Sequence, residues 1–193
     1  MDSDSRSVKK GKTKVSQVVD LQEGRLLMAV KRGYRNWESR FKEEFGLKTR
    51  LSQISLETLS YLAHGKEKGA FYIYDLVMGI KGWGSGFEFN ELSPKKKMSV
   101  IDQHLFLLDR IRFECMKRLG WIEDYPGEEF SLVELISQFE KLAPGFQAKI
   151  PTLSQDHPGY EEYSRLNVFD QEAFIRKLIP EAVAKVQDSS ITL

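Results

Sequence analysis

Three aspartates stand where a carboxylate is costly. Asp102 and Asp109 are seven residues apart, so on a helix they share one stripe, and their angular neighbours there are Leu105, Phe106, Phe113 and Met116. Arg112 follows Asp109 by three positions, within pairing reach on the same face. Asp75 is the only charge in AFYIYDLVMGI, residues 70–80. Burying a carboxylate is expensive unless it is paired or neutralised. Two chemistries follow for Asp75, Asp102, Asp109 and Arg112. They could frame a polar cavity between helices that holds a ligand, a metal or a proton-transfer pair. The simpler expectation is a buried ion-pair network, since such networks also arise with no chemistry attached.

A second constellation is glycine-rich. GIKGWGSG, residues 79–86, precedes Lys95, Lys96 and Lys97, and a helix is expected to start just after them at Ser99. Lysines within a first turn would oppose the helix dipole, which places the start behind them. Gly82 and Gly84 would let the backbone approach an anion closely, and the lysines would sit beside a positive helix end. A solvated basic turn is the plainer reading. The same region carries Trp83, Phe87 and Phe89, large side chains in a loop that suit the core of a protein interface or cover the protein's own core. A third group joins Lys31, Arg32, Arg35 and Arg40 to the nearby Tyr34 and Trp37. Cations near aromatics can hold nucleic acid. Here, however, the aromatics belong to the apolar stripe and the cations to the opposite side.

Several chemistries lack their motifs. There is no G-x-x-x-x-G-K-[ST] phosphate loop, no G-x-G-x-x-G after a strand, no H-E-x-x-H and no G-x-S-x-G elbow. His64, His104 and His157 lie in three separate segments without metal-ligand spacing. No catalytic residue, metal or cofactor is expected, and the chain reads as a non-enzyme.

The elements that must position these residues are helical. Residues 99–119, SVIDQHLFLLDRIRFECMKRL, place Gln103, Arg110, Glu114 and Lys117 on one narrow polar stripe and apolar residues almost everywhere else. So thin a wet face predicts a central helix contacted on most sides. Ser99 with Asp102 is its expected capping box, and Gly120 its stop. Upstream, Leu26, Val30, Tyr34, Trp37 and Phe41 form an apolar stripe of one long helix over residues 15–45, with Gly24 and Gly33 as weak points and Gly46 as its end. A short helix is expected over 56–63, capped by Ser55, then a buried helix over 70–80. Residues 131–142 form the clearest amphipathic helix, with a Ser131–Glu134 capping box and a stop at Pro144-Gly145. Residues 143–169 show no sustained period, and a segment that long is either functional or loosely ordered. A last helix should start from a cap at Asp170 and meet Pro180.

This pattern predicts an all-α fold of five to seven helices around the central one, in bundle or orthogonal packing. Residues 1–14 form a basic arm, expected to be flexible, and 15–193 one domain. Residues 1–50 carry thirteen basic against seven acidic side chains, a net +6, whereas the rest carries sixteen against twenty-one, a net −5. Such a split suits an acidic partner or a chain folding back on itself. Cys115 is the only cysteine, which together with the lack of a signal sequence or membrane span points to a cytoplasmic setting. The functional expectation is protein–protein interaction. Its rivals are nucleic-acid or phosphate binding through the arm and Lys95–Lys97, and a small-molecule or metal site on the interhelical carboxylates. Nothing in the sequence sets an oligomeric state.

Overall fold

A computed structural model describes residues 21–65 and 67–191, and these are predominantly helical with no strand. Eight α-helices run in order: α1 Leu21–Phe41, α2 Leu56–Ala63, α3 Glu67–Lys81, α4 Pro94–Arg118, α5 Leu132–Ser137, α6 Phe139–Gln147, α7 Tyr160–Ser164 and α8 Val168–Ile191. Short 3₁₀ turns lie at Leu51–Gln53 and Gly86–Glu91. The basic arm expected at residues 1–14 lies outside the described residues.

α1 buries Val30, Tyr34 and Trp37 as its spacing requires, while Leu26, expected in the same stripe, is 38% exposed near the start of the helix. It stops at Phe41 rather than Gly46, because Lys42 takes a left-handed φ of 59° and donates its N–H to Glu38 O. Gly33, a weak point on propensity alone, is where α1 meets α3. A Cβ on Gly79 would lie 2.5 Å from Gly33 Cα, whereas one on Gly33 would meet Leu76 at 3.2 Å, so the two backbones touch because position 79 is glycine and are helped by glycine at 33. α2 matches its expected span, with the Ser55 hydroxyl accepting from Thr58 N at 3.2 Å. Glu43 reaches in from the preceding loop to accept hydrogen bonds from Ser55 N, Ser55 Oγ and Thr58 Oγ1.

α4 packs against α2, α3 and α8, and α2 also packs against α8. Two expectations about it are corrected. It begins at Pro94, five residues early, so Lys95, Lys96 and Lys97 sit in its first turns. Pro94 supplies the helical φ at the first position, and lysines in water oppose the dipole by only about 0.3–1 kcal/mol. Ser99 is therefore inside the helix, where its Oγ accepts from Gln103 Nε2. The second correction reverses the helix. Gln103, Arg110 and Glu114, the supposed wet stripe, are 1%, 3% and 2% exposed, while Leu105 is 55% exposed. The reason is pairing. Glu114 accepts from Arg118 Nε at 2.6 Å and Tyr125 Oη at 2.8 Å, and Arg118 donates further to the carbonyls of Leu51, Ser52 and Ile54. Glu114, with both its oxygens filled, can be buried on that account, whereas Gln103 Oε1 and Arg110 Nε are buried without a partner among the described residues.

The expected helix 131–142 is two helices that meet at Gln138 (φ −105°, ψ 16°). Its capping box forms, with Ser131 N and Oγ both bonded to Glu134 Oε2 at 2.8 Å. α6 then runs through Pro144 and Gly145, turning Phe139 and Phe146 onto Phe106. The segment without a period is not empty of structure. Leu153 bridges to Ile122, Ser154 N donates to Trp121 O at 2.8 Å, and α7 follows. α8 is capped by Asn167, not Asp170: Asn167 Oδ1 accepts from Phe169 N and Asp170 N, and the helix continues through Pro180. This split and α7 account for more helices among the described residues than the expected five to seven. One cluster of buried side chains extends from Val30 to Val186.

Candidate binding surfaces

Asp102, Asp109 and Arg112 line one cleft of about 640 Å³ between α4 and α6, floored by Phe106, Phe139 and Ala143. They are not a buried network. Asp102 is exposed and Asp109 half-buried, and Asp109 meets Arg176 of α8 at 3.4 Å rather than Arg112. Arg112 instead donates its Nε to Ala63 O at 3.2 Å, at the end of α2. Helical spacing brought the two within reach, but the side chains turn to opposite neighbours. Asp75 lies elsewhere in the fold and lines no part of this cleft.

The same cleft holds a residue that spacing had assigned to water. Arg110 is 3% exposed, with its guanidinium carbon 5.2 Å from the Phe106 ring centroid and 5.1 Å from that of Phe113. Nη1 donates to Pro126 O at 2.8 Å, whereas Nε is buried without a partner. No carboxylate lies in ion-pair contact with it among the described residues. Burial pulls its pKa down from the ordinary arginine value, opposed by the charge of Asp109. Arg110 and Asp109 also line a smaller cleft of about 220 Å³ toward α8. The sequence did hold a signal: Phe106 and Phe113 flank Arg110 at four and three residues, the helical spacing of a stacked cation.

Asp75 is buried as its apolar setting predicted, at 2% exposure, but its partners are neutral. Asn36 Nδ2 donates to one oxygen at 2.9 Å and Gly86 N to the other at 2.8 Å. This contact engages the glycine-rich loop. Ser85 N donates to Glu88 Oε2 at 2.7 Å, and the Cβ that Gly84 lacks would fall 2.1 Å from that same oxygen. Backbone donors at 85 and 86 thus serve the protein's own carboxylates. Gly82 N is likewise spent, on Gly79 O at 3.2 Å, and Lys96 lies 5.3 Å from the Trp83 ring centroid.

Of the three loop aromatics, Phe87 alone is largely exposed, at 79%, and it leans on Phe71 at 4.7 Å. Trp83 and Phe89 pack against the core, Phe89 stacking on Tyr74 at 4.8 Å. Tyr34 and Trp37 are wholly buried, so no base could stack on them. What α1 leaves outside is different: Arg25, Lys31, Arg32 and Arg35 share a face with Met28, which is 64% exposed. Arg25, Lys31 and Arg32 are three before and three and four after Met28, its neighbours on a helical surface, and Arg35 lies one turn further along the same face. None of the four cations is in an ion pair among the described residues.

Among the described residues no group of three His, Cys, Asp or Glu is placed to hold a metal. Cys115 is buried, and burial is the main force pushing its thiol up to about 12. No helix of the described residues is long and apolar enough to cross a membrane. Compared with known proteins, the chain matches no family model, no curated sequence and no solved structure.

Proposed function

We propose that this protein is a non-catalytic binding module of the cytoplasm, a helical bundle built about α4, that engages an acidic protein partner through the outward face of α1. The observation carrying this reading is Met28 flanked by Arg25, Lys31 and Arg32, with Arg35 a turn beyond, none of them in an ion pair among the described residues. Surface cations without carboxylates steer an acidic partner and select against a basic one. An exposed methionine at their centre offers an adaptable apolar contact. Nucleic acid fits this face less well, because a single-stranded binder supplies aromatic platforms and α1 keeps its own inside.

The test uses two labelled probes of equal charge: an amphipathic peptide alternating glutamate and leucine, and a single-stranded oligonucleotide. Peptide binding should fall about tenfold or more in the double variant Arg32→Glu, Arg35→Glu, and measurably in Met28→Ser. Oligonucleotide binding that is tighter and indifferent to Met28→Ser would replace the protein partner with nucleic acid. Peptide binding untouched by the double variant would remove α1 as the surface.

A further inference from the structure

We propose that the cleft between α4 and α6 is a binding site for a small organic monoanion, a molecule with an apolar body and one carboxylate-like head, received by Arg110. This site is independent of the α1 face. Three observations converge on it. The cleft, about 640 Å³ in volume, matches the pockets that enclose small molecules. Its walls are apolar where α4 faces α6, through Leu105, Phe106, Phe139 and Ala143. At its buried side stands a cation whose hydrogen-bonding capacity is mostly unspent.

Arg110 is the decisive residue. A guanidinium offers five N–H donors in a rigid fork that suits a carboxylate. Here the only hydrogen bond it makes to the described residues is the one from Nη1 to Pro126 O, and Nε is buried and unpartnered. Unmet donors are rare inside proteins and ask for an occupant. The nearest acid in sequence, Asp109, is engaged by Arg176. The rings of Phe106 and Phe113 both lie within cation–π reach of the guanidinium, so its position is set before anything binds.

The outer carboxylates define the charge of the ligand. Asp102 and Glu140 line the cleft and are exposed, with Asp109 half-buried beside them and bonded to Arg176; Arg112, also in the lining, gives its Nε to Ala63 O, whereas Arg110 is buried. A single negative head can pass this rim to reach the arginine. A polyanion such as a nucleotide would leave charge beside two carboxylates, which opposes binding.

The probe is anilinonaphthalene sulfonate, a fluorescent monoanion with an apolar body, set against its uncharged analogue phenylnaphthylamine. The folded protein should bind the sulfonate saturably, about one per chain, and decanoate should displace it while ATP does not. Leu105 lines the cleft and is 55% exposed, so Leu105→Glu adds a negative charge at the mouth without disturbing the core. It should weaken the sulfonate about tenfold or more, while Leu105→Gln and binding of the uncharged analogue change less than about twofold. Arg110→Gln should reproduce the selective loss. Should that variant fail to fold, as far-ultraviolet dichroism would show, the Leu105 pair decides alone. The proposal is overturned by non-saturable binding, by ATP displacing the probe as well as decanoate does, or by Leu105→Glu affecting the charged and uncharged probes alike.

Discussion

Replacing Gly79 by alanine should destabilise the protein, although alanine is the better helix former. An ideal Cβ at Gly79 lies 2.5 Å from Gly33 Cα and 2.8 Å from Gly33 N. The first distance is about 0.9 Å short of the 3.4 Å at which ordinary contact begins. Both obstructing atoms are backbone, so no side-chain rotation relieves them, and α1 must move away from α3. That shift loosens Val30, Tyr34, Trp37 and Leu76, all at most 3% exposed, and a gap of about 0.5–1 Å forfeits a quarter to a half of a dispersion contact. Overpacking costs about 1–3 kcal/mol, and overlap with backbone that no rotamer relieves belongs to the upper part of that range, about 2–3 kcal/mol, against about 1 kcal/mol regained from helix propensity. The expected net loss is about 1–2 kcal/mol, a fall in Tm of about 2–8 °C for a chain this size. Urea unfolding followed by far-ultraviolet dichroism measures it. Two companions give the series its sign. Gly33→Ala meets Leu76 Cδ1 and O at 3.2 Å, a milder crowding, and should fall between wild type and Gly79→Ala. Gly145→Ala in α6 meets nothing within 4 Å and should stabilise by about 0.5–1 kcal/mol. If Gly79→Ala is as stable as wild type while Gly145→Ala gains, the α1–α3 backbone contact does not exist.

Glu114→Ala should cost about 2–4 kcal/mol in the same assay: the usual loss for a broken buried pair is about 3–5 kcal/mol, reduced because Arg118 keeps three carbonyls and some solvent. Asp109→Ala, whose partner Arg176 is half exposed, should cost only about 0–1 kcal/mol; equal losses at the two sites would undo the orientation of α4. His104 is buried with Nε2 unpartnered, and burial, then Arg112, lowers its pKa from 6.5. The unfolded chain therefore binds a proton there more readily than the folded one, so stability should decline as pH falls below about 6.5. His104→Phe should flatten that decline in unfolding curves taken from pH 7 toward 5, and an unchanged slope would assign it elsewhere. Glu43 acts in a lower window: burial raises its pKa, but hydrogen bonds from Ser55 and Thr58 outweigh it and leave it below 4.5. Its stabilisation is accordingly present above that value and lost only as pH falls through the depressed one.

Local chemistry was legible wherever a few adjacent residues decide the outcome. The Ser55 cap, the Ser131–Glu134 capping box and the buried face of α1 all depend on neighbours within one or two turns, so spacing suffices to place them. Asp75 belongs with these: one charge among ten apolar neighbours had to be buried and had to find donors. Its donors were not legible, because Asn36 and the Gly86 amide come from other parts of the chain. Tertiary structure alone decided which side of α4 faces inward. Hydrophobicity counted Gln103, Arg110 and Glu114 as wet and the Asp102–Asp109 stripe as buried; the fold buried the first three and left Asp102 and Leu105 exposed, while keeping Phe106, Phe113 and Met116 inside. The cost of burying a polar group depends on whether its partner arrives, and Tyr125, the carbonyls of Leu51, Ser52 and Ile54, and Pro126 O lie outside the helix. Gly33 and Gly79 make the same point: each weakens its own helix by propensity, and together they let two backbones touch.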